Sequence, residues 1–207
     1  MKQYLFRLRS LALGLLTAGV ALAGTGPSAQ AAVIATNACD NSTLTQPFLR
    51  WGDTAQYKLV SGGNFTSSSA DWTLKNGARI VNGGEPYGPA GSAGSGSLYL
   101  PAGASAQSPY TCVNAAYPSF RLFGRNSGLL ATIAVQVVYK TPLLGAVSIP
   151  VGVVALNGSW QPTLPMLTAS AIEGALNGGT AEVALRFTSL IGSSQIDDVY
   201  VDPRMSR

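Results

Sequence analysis

The sequence predicts an all-β protein: a single antiparallel β-sandwich of the jelly-roll kind, behind a removable leader. Three observations carry that prediction. Short apolar runs alternating with polar residues recur along the chain, turns rich in Gly, Pro, Asn and Ser separate them, and no helical crossover lies between them. Alternation turns one face of a strand to a core and the other to solvent, which belongs to antiparallel sheets.

The leader comes first. Lys2, Arg7 and Arg9 precede the apolar run from Leu11 to Ala23, and Ala29-Gln30-Ala31 supplies small residues for cleavage. The pattern is that of an export signal over 1–31, with an apolar run too short to span a bilayer as a mature helix. The expected product, 32–207, is secreted, extracellular and monomeric, without membrane attachment, and long enough for a substantial core. Removing the leader lowers Lys plus Arg from thirteen to ten against nine Asp plus Glu, so the net charge falls from +4 to +1. Arg121 and Arg125 are the nearest approach to a basic cluster, which excludes nucleic acid as a partner.

In an exported chain the two cysteines, Cys39 and Cys112, are expected to form a disulfide. The bridge would span 73 positions and stabilise by roughly 4 kcal/mol in the chain-entropy account. No histidine is present to activate either thiol as a nucleophile. Residues 32–56 read as an irregular segment stapled by that bridge, with Phe48 and Trp51 as anchors, and 57–207 as the sandwich domain.

Strands are expected at 57–61, 71–75, 78–81, 97–100, 110–114, 119–124, 130–140, 143–156, 180–190 and 195–201. Lys75-Asn76-Gly77-Ala78 carries a hairpin signal, because Asn-Gly tolerates the positive φ angles of a type I′ turn. The stretch 82–97, dense in Gly, Pro and Ser, is expected to be a mobile surface loop or a ligand-side loop. Residues 169–176 hint at one helical turn, limited by the glycines around it. In the last strand simple alternation places Asp197, Val199 and Val201 on one face and Ile196, Asp198 and Tyr200 on the other. On that reading Asp197 borders the core and needs a partner, whether a hydrogen bond or a cation.

Gly62-Gly63-Asn64-Phe65, then Asp71-Trp72-Thr73, then far downstream Ile196-Asp197-Asp198-Val199-Tyr200-Val201 form a set of motifs. They resemble the opening and closing elements of galactose-binding-like jelly rolls, above all carbohydrate-binding modules of families 4, 9 and 22. The resemblance covers 57–203, and the whole chain is similar to secreted actinobacterial proteins. It implies glycan binding without catalysis and a structural calcium held by an opening Glu and one Asp of the closing pair. Here Thr66 stands where that Glu is expected, so the implied ligands are Asp197 or Asp198, with Glu85 as a substitute from the long loop.

The absence of histidine excludes Ser-His-Asp and Cys-His catalysis. A glycosidase needs two carboxylates within reach of one bond, and Asp197 and Asp198 point to opposite faces on the alternation reading. Sugar binding asks instead for exposed aromatic rings and polar side chains that fix hydroxyls. Tyr87, Tyr110 and Tyr117 lie in loops, and the group taken for a ligand surface is Tyr87, Tyr117, Arg121, Arg125 and Gln136. The expected function is a noncatalytic module that binds polysaccharide or cell-envelope glycan. The alternatives are a structural or cell-surface interaction protein and, further off, a carbohydrate-active enzyme.

Overall fold

Two antiparallel sheets lie face to face in the computed structural model, which describes residues 43–66, 71–89, 91, 93–114, 119–141, 144–167 and 180–203. After a short 3-10 turn at Leu49–Trp51 the described residues hold thirteen strands. These are β1 (Lys58–Leu59), β2 (Thr73–Lys75), β3 (Arg79–Asn82), β4 (Gly96–Leu100), β5 (Ser105–Gln107), β6 (Thr111–Asn114), β7 (Ser119–Asn126), β8 (Ala131–Thr141), β9 (Gly145–Leu156), β10 (Gln161–Pro162), β11 (Met166–Leu167), β12 (Thr180–Ile191) and β13 (Ser194–Asp202). The first sheet runs β10-β7-β13-β4-β3, with β1 on β13 and β11 on β7. The second runs β2-β5-β12-β8-β9, with β6 on β12. This is the expected jelly-roll β-sandwich.

The core between the sheets follows from the alternation. Ile133, Val135, Val137 and Tyr139 of β8 and Val183, Leu185 and Phe187 of β12 point inward against Leu98, Leu100, Phe120, Leu122, Ile196, Val199 and Val201 of the first sheet. Each such side chain is fully buried or nearly so, and burial of one contributes roughly 1.5–3 kcal/mol. Trp72 joins this core, its Nε1 donating to the Ser61 carbonyl at 2.9 Å.

A second apolar cluster lies on the outer face of the first sheet, where the segment before β1 packs across the strands. Phe48 and Tyr57 from that segment meet Phe123, Trp160 and Tyr200, with Phe48 stacked on Phe123 at 5.5 Å. The anchoring expected of Phe48 is realised there, and the outer face of the first sheet is covered rather than solvated.

Three expectations change. The Asn-Gly turn forms, with Asn76 and Gly77 at φ 57° and 87° and the Ala78 amide donating to Lys75. It does not make a hairpin: β2 pairs with β5 in the second sheet and β3 with β4 in the first, so the turn is a corner between sheets. The two ends of the stretch 82–97 extend β3 and β4, laced by Gly83 N–H to Ser95 O, Gly84 N–H to Gly94 O and Gly94 N–H to Glu85 O. Strict alternation also fails in β13, whose pairing with β7 shifts between Asp197 and Tyr200 while Asp198 takes φ 47°. The bulge returns Val199 and Val201 to the core side beside Ile196 and buries both aspartates. The helical hint at 169–176 lies outside the described residues.

Candidate functional site

Of the side chains grouped from sequence, the four described ones, Tyr87, Arg121, Arg125 and Gln136, do not assemble into one site. Arg121, expected on an open strand face, is buried, because the segment before β1 covers it. Its Nη1 donates to Asp53 Oδ2 at 2.6 Å, its Nε donates to the Thr163 carbonyl at 2.7 Å, and its guanidinium lies 4.2 Å from the Phe48 ring centroid. Asp53 also accepts from Tyr57 Oη at 2.7 Å and from the Ala55 amide. Burial works to raise its carboxyl, but those two hydrogen bonds and Arg121 outweigh it and leave it below the ordinary value. Arg121 is therefore a pin between segment and sheet, and its guanidinium is already spent.

Tyr87 and Arg125 stay near each other on the same side of the molecule. Tyr87 is partly exposed, donates its hydroxyl to the Trp160 carbonyl at 2.9 Å and meets the Trp51 ring edge-on at 5.1 Å. Arg125 donates to Gln195 Oε1 at 2.6 Å and lies 5.0 Å from the Trp160 ring. These rings support one another across the covered face and present no flat platform. Tyr117 lies outside the described residues.

The three carboxylates named as calcium ligands, Glu85, Asp197 and Asp198, do meet, all but fully buried. Asp197 Oδ2 accepts the Glu85 amide at 2.9 Å and Asp197 Oδ1 the Asp198 amide at 2.8 Å. Glu85 folds back to accept the Tyr87 amide at 2.6 Å and the Gly88 amide at 2.9 Å, one on each oxygen. Asp198 Oδ2 is buried without a hydrogen-bond partner. A calcium ion needs six to eight oxygens turned toward it. Here four of the six carboxylate oxygens already accept backbone N–H groups, and no set of three or more His, Cys, Asp or Glu with metal-holding geometry occurs among the described residues. The donor set as arranged does not fit calcium. Burial, opposed by the amides of Glu85 and Asp198, pushes the Asp197 carboxyl up to about 7. Burial, then the charges of Asp197 and Glu85, raise Asp198 as well.

Of the two cysteines, Cys112 lies on β6 opposite Glu182 of β12, and its expected partner Cys39 lies outside the described residues.

Gln136 points to a different place, the outer face of the second sheet. A row crosses that sheet in register, polar at Thr73 of β2, Gln107 of β5, Arg186 of β12 and Gln136 of β8 and ending at Pro150 of β9. Arg186 is its centre. Nε and Nη2 donate to Gln107 Oε1 at 3.2 and 2.7 Å, and Nη1 reaches across β8 to Ser148 Oγ at 3.2 Å. Tyr110 stands one step beyond the Thr111–Val183 pair, and its ring centroid is 5.9 Å from the Lys140 ammonium. The face thus combines a part-exposed ring, a guanidinium held in a fixed plane, two amides and a hydroxyl. Sequence reasoning placed Gln136 and noted Tyr110 as a loop ring but did not include Arg186, Gln107, Ser148 or Lys140. Their signal is the outward phase of Arg186 between Leu185 and Phe187; its register with Gln107 is set by pairing across 79 residues.

No protein-family model and no curated protein matches the chain. Solved structures do. The CBM22-1 and GH10 modules of Clostridium thermocellum endo-1,4-β-D-xylanase 10B, solved with xylohexaose, give a TM-score of 0.50 at 13% identity, over 68% of this chain and 28% of that one. The CBM22-1 xylan-binding domain of Paenibacillus barcinonensis Xyn10C gives 0.47 at 12% identity, over 70% and 94%. The family 11 carbohydrate-binding module of Clostridium thermocellum, solved with a β-1,3-1,4-mixed-linked tetrasaccharide, gives 0.46 at 10%, over 75% and 100%. The chain thus spans about a quarter of the xylanase chain it matches. What it shares with that chain is a fold, the jelly-roll β-sandwich of carbohydrate-binding modules.

Proposed function

We propose that this protein is a noncatalytic glycan-binding module whose ligand lies on the outer face of the second sheet, over Arg186. The observation that carries the reading is the in-register row Gln107–Arg186–Gln136 with Tyr110 and Ser148 beside it. A sugar offers apolar C–H faces and polar edges, and this face offers a ring for the first and directed donors and acceptors for the second. The fold shared with a chain solved around xylohexaose supports the choice of ligand class. Glu85, Asp197 and Asp198 are sealed from solvent, and so do not serve as the two carboxyl groups that glycoside hydrolysis brings to a substrate.

Affinity electrophoresis in gels containing soluble xylan, mixed-linked β-glucan or an acidic plant polysaccharide tests the proposal. The protein is expected to be retarded by at least one of them, and Tyr110→Ala and Arg186→Ala are each expected to restore free migration while remaining folded. A folded parent protein that migrates freely in every gel would refute it.

A further inference from the structure

We infer that the glycan is anionic, a chain bearing uronate carboxylates, and that Arg186 and Lys140 receive its charge. The inference rests on the glycan-binding reading and narrows its ligand class.

Arg121 on β7 and Arg186 on β12 make the point by contrast. Arg121, buried on the first sheet, is matched by the Asp53 carboxylate. Arg186, half-buried at the centre of the second sheet, is hydrogen-bonded only to neutral acceptors, an amide oxygen and a hydroxyl. Among the described residues neither Arg186 nor Lys140 is ion-paired with a carboxylate. Holding a guanidinium partly out of water without a counter-charge is unfavourable, and a planar carboxylate is the partner its fork geometry suits best. Two of its nitrogens on one Gln107 oxygen fix its plane in advance, so little ordering remains to be done on binding.

The surroundings carry the same sign. Lys75 on β2 and Lys140 on β8 share the outward face with Arg186. Glu182, one step past the Val183–Tyr139 pair and so at the strand position facing Lys140, and Asp71, just before β2, are exposed carboxylates on the same face. Among the described residues three cations stand against these two carboxylates on this face, and Arg186 at its centre has neither within an ion pair. A neutral glycan would still accept hydrogen bonds from the guanidinium but would leave its charge unmatched.

A matched pair of polysaccharides separates this inference from the reading beneath it: glucuronoxylan and the same polymer with its uronates chemically reduced to neutral sugars. In affinity electrophoresis the acidic form is expected to bind roughly tenfold more tightly, as a charge-assisted hydrogen bond implies, with the advantage shrinking as salt is raised. Arg186→Gln is expected to bring the two forms to parity while the melting temperature stays unchanged, and the exposed Lys140→Gln to narrow the gap. Equal retardation by both polymers would overturn the anionic assignment and leave glycan binding standing. An Arg186→Gln protein that keeps the full preference would overturn the role given to Arg186. Free migration of the folded parent in both gels would overturn the inference and the reading together.

Discussion

Arg121 and Arg186 are both arginines on central strands, yet the structure uses them in opposite ways. Arg121 joins the segment before β1 to the first sheet through Asp53, Thr163 and Phe48. Removing Arg121 leaves Asp53, part-buried and still held by Tyr57 and Ala55, without its counter-charge, so Arg121→Leu should destabilise by about 1–3 kcal/mol in urea unfolding. The same change made together with Asp53→Leu should cost less than Arg121→Leu alone. The carboxyl cluster gives a pH prediction. Asp197 binds its proton more tightly folded, at about 7, than at the ordinary 3.8, so its contribution to stability is fully present below about pH 4 and is lost as pH rises through 7. Asp198, raised by burial and by Asp197, acts in the same direction. Asp198→Asn supplies an amide donor beside Glu85 and suits φ 47°. It should therefore flatten the loss and raise the melting temperature at pH 8 by about 2–4 °C, the shift that 1 kcal/mol gives a domain of this size. A lower melting temperature at pH 8 would contradict the account of the cluster.

At the scale of elements, the closing strand β13 organises the first sheet through its bulge. Asp197 reaches out of the strand to the crossing point of the 83–95 extension, where Gly84 and Gly94 run past each other. A Cβ on Gly94 would collide with Asp197 Oδ2 and come within 3.0 Å of Gly84 Cα, with backbone rather than a yielding side chain in the way. Gly94→Ala should accordingly lower the melting temperature by several degrees, and protease sensitivity should rise within 83–95 first. The elements also show what the sequence could disclose. The long strands β8 and β12 were legible because seven or more residues of strict alternation leave no other period. Strands β5, β10 and β11, two or three residues each, carry no period at all. The Asn76-Gly77 turn was legible as a turn, since those residues encode local φ. Which sheet each flanking strand joins depends on β5 and β4, and no local signal holds that. The bulge at Asp198 broke the alternation from which its face was read, because one extra residue reverses every later side chain.

Over the whole molecule, the two outer faces have different fates. The face of the first sheet is roofed by Phe48 and Tyr57, which is why residues on its strands, Arg121 above all, looked available from alternation and are not. The face of the second sheet carries the row through Arg186, assembled from β2, β5, β8, β9 and β12, whose members are up to 113 positions apart in sequence. Candidate residue types were visible in the chain, but their meeting is a property of sheet order. The central claim is that a glycan binds on this second face, and amide chemical-shift mapping with a soluble oligosaccharide tests it most directly. Titration with xylo-oligosaccharides bearing a glucuronate branch should shift Gln107, Tyr110, Gln136, Ser148 and Arg186 together and saturably. Shifts confined to Trp51, Tyr87 and Trp160 on the opposite face, or an unchanged spectrum of the folded protein, would contradict it.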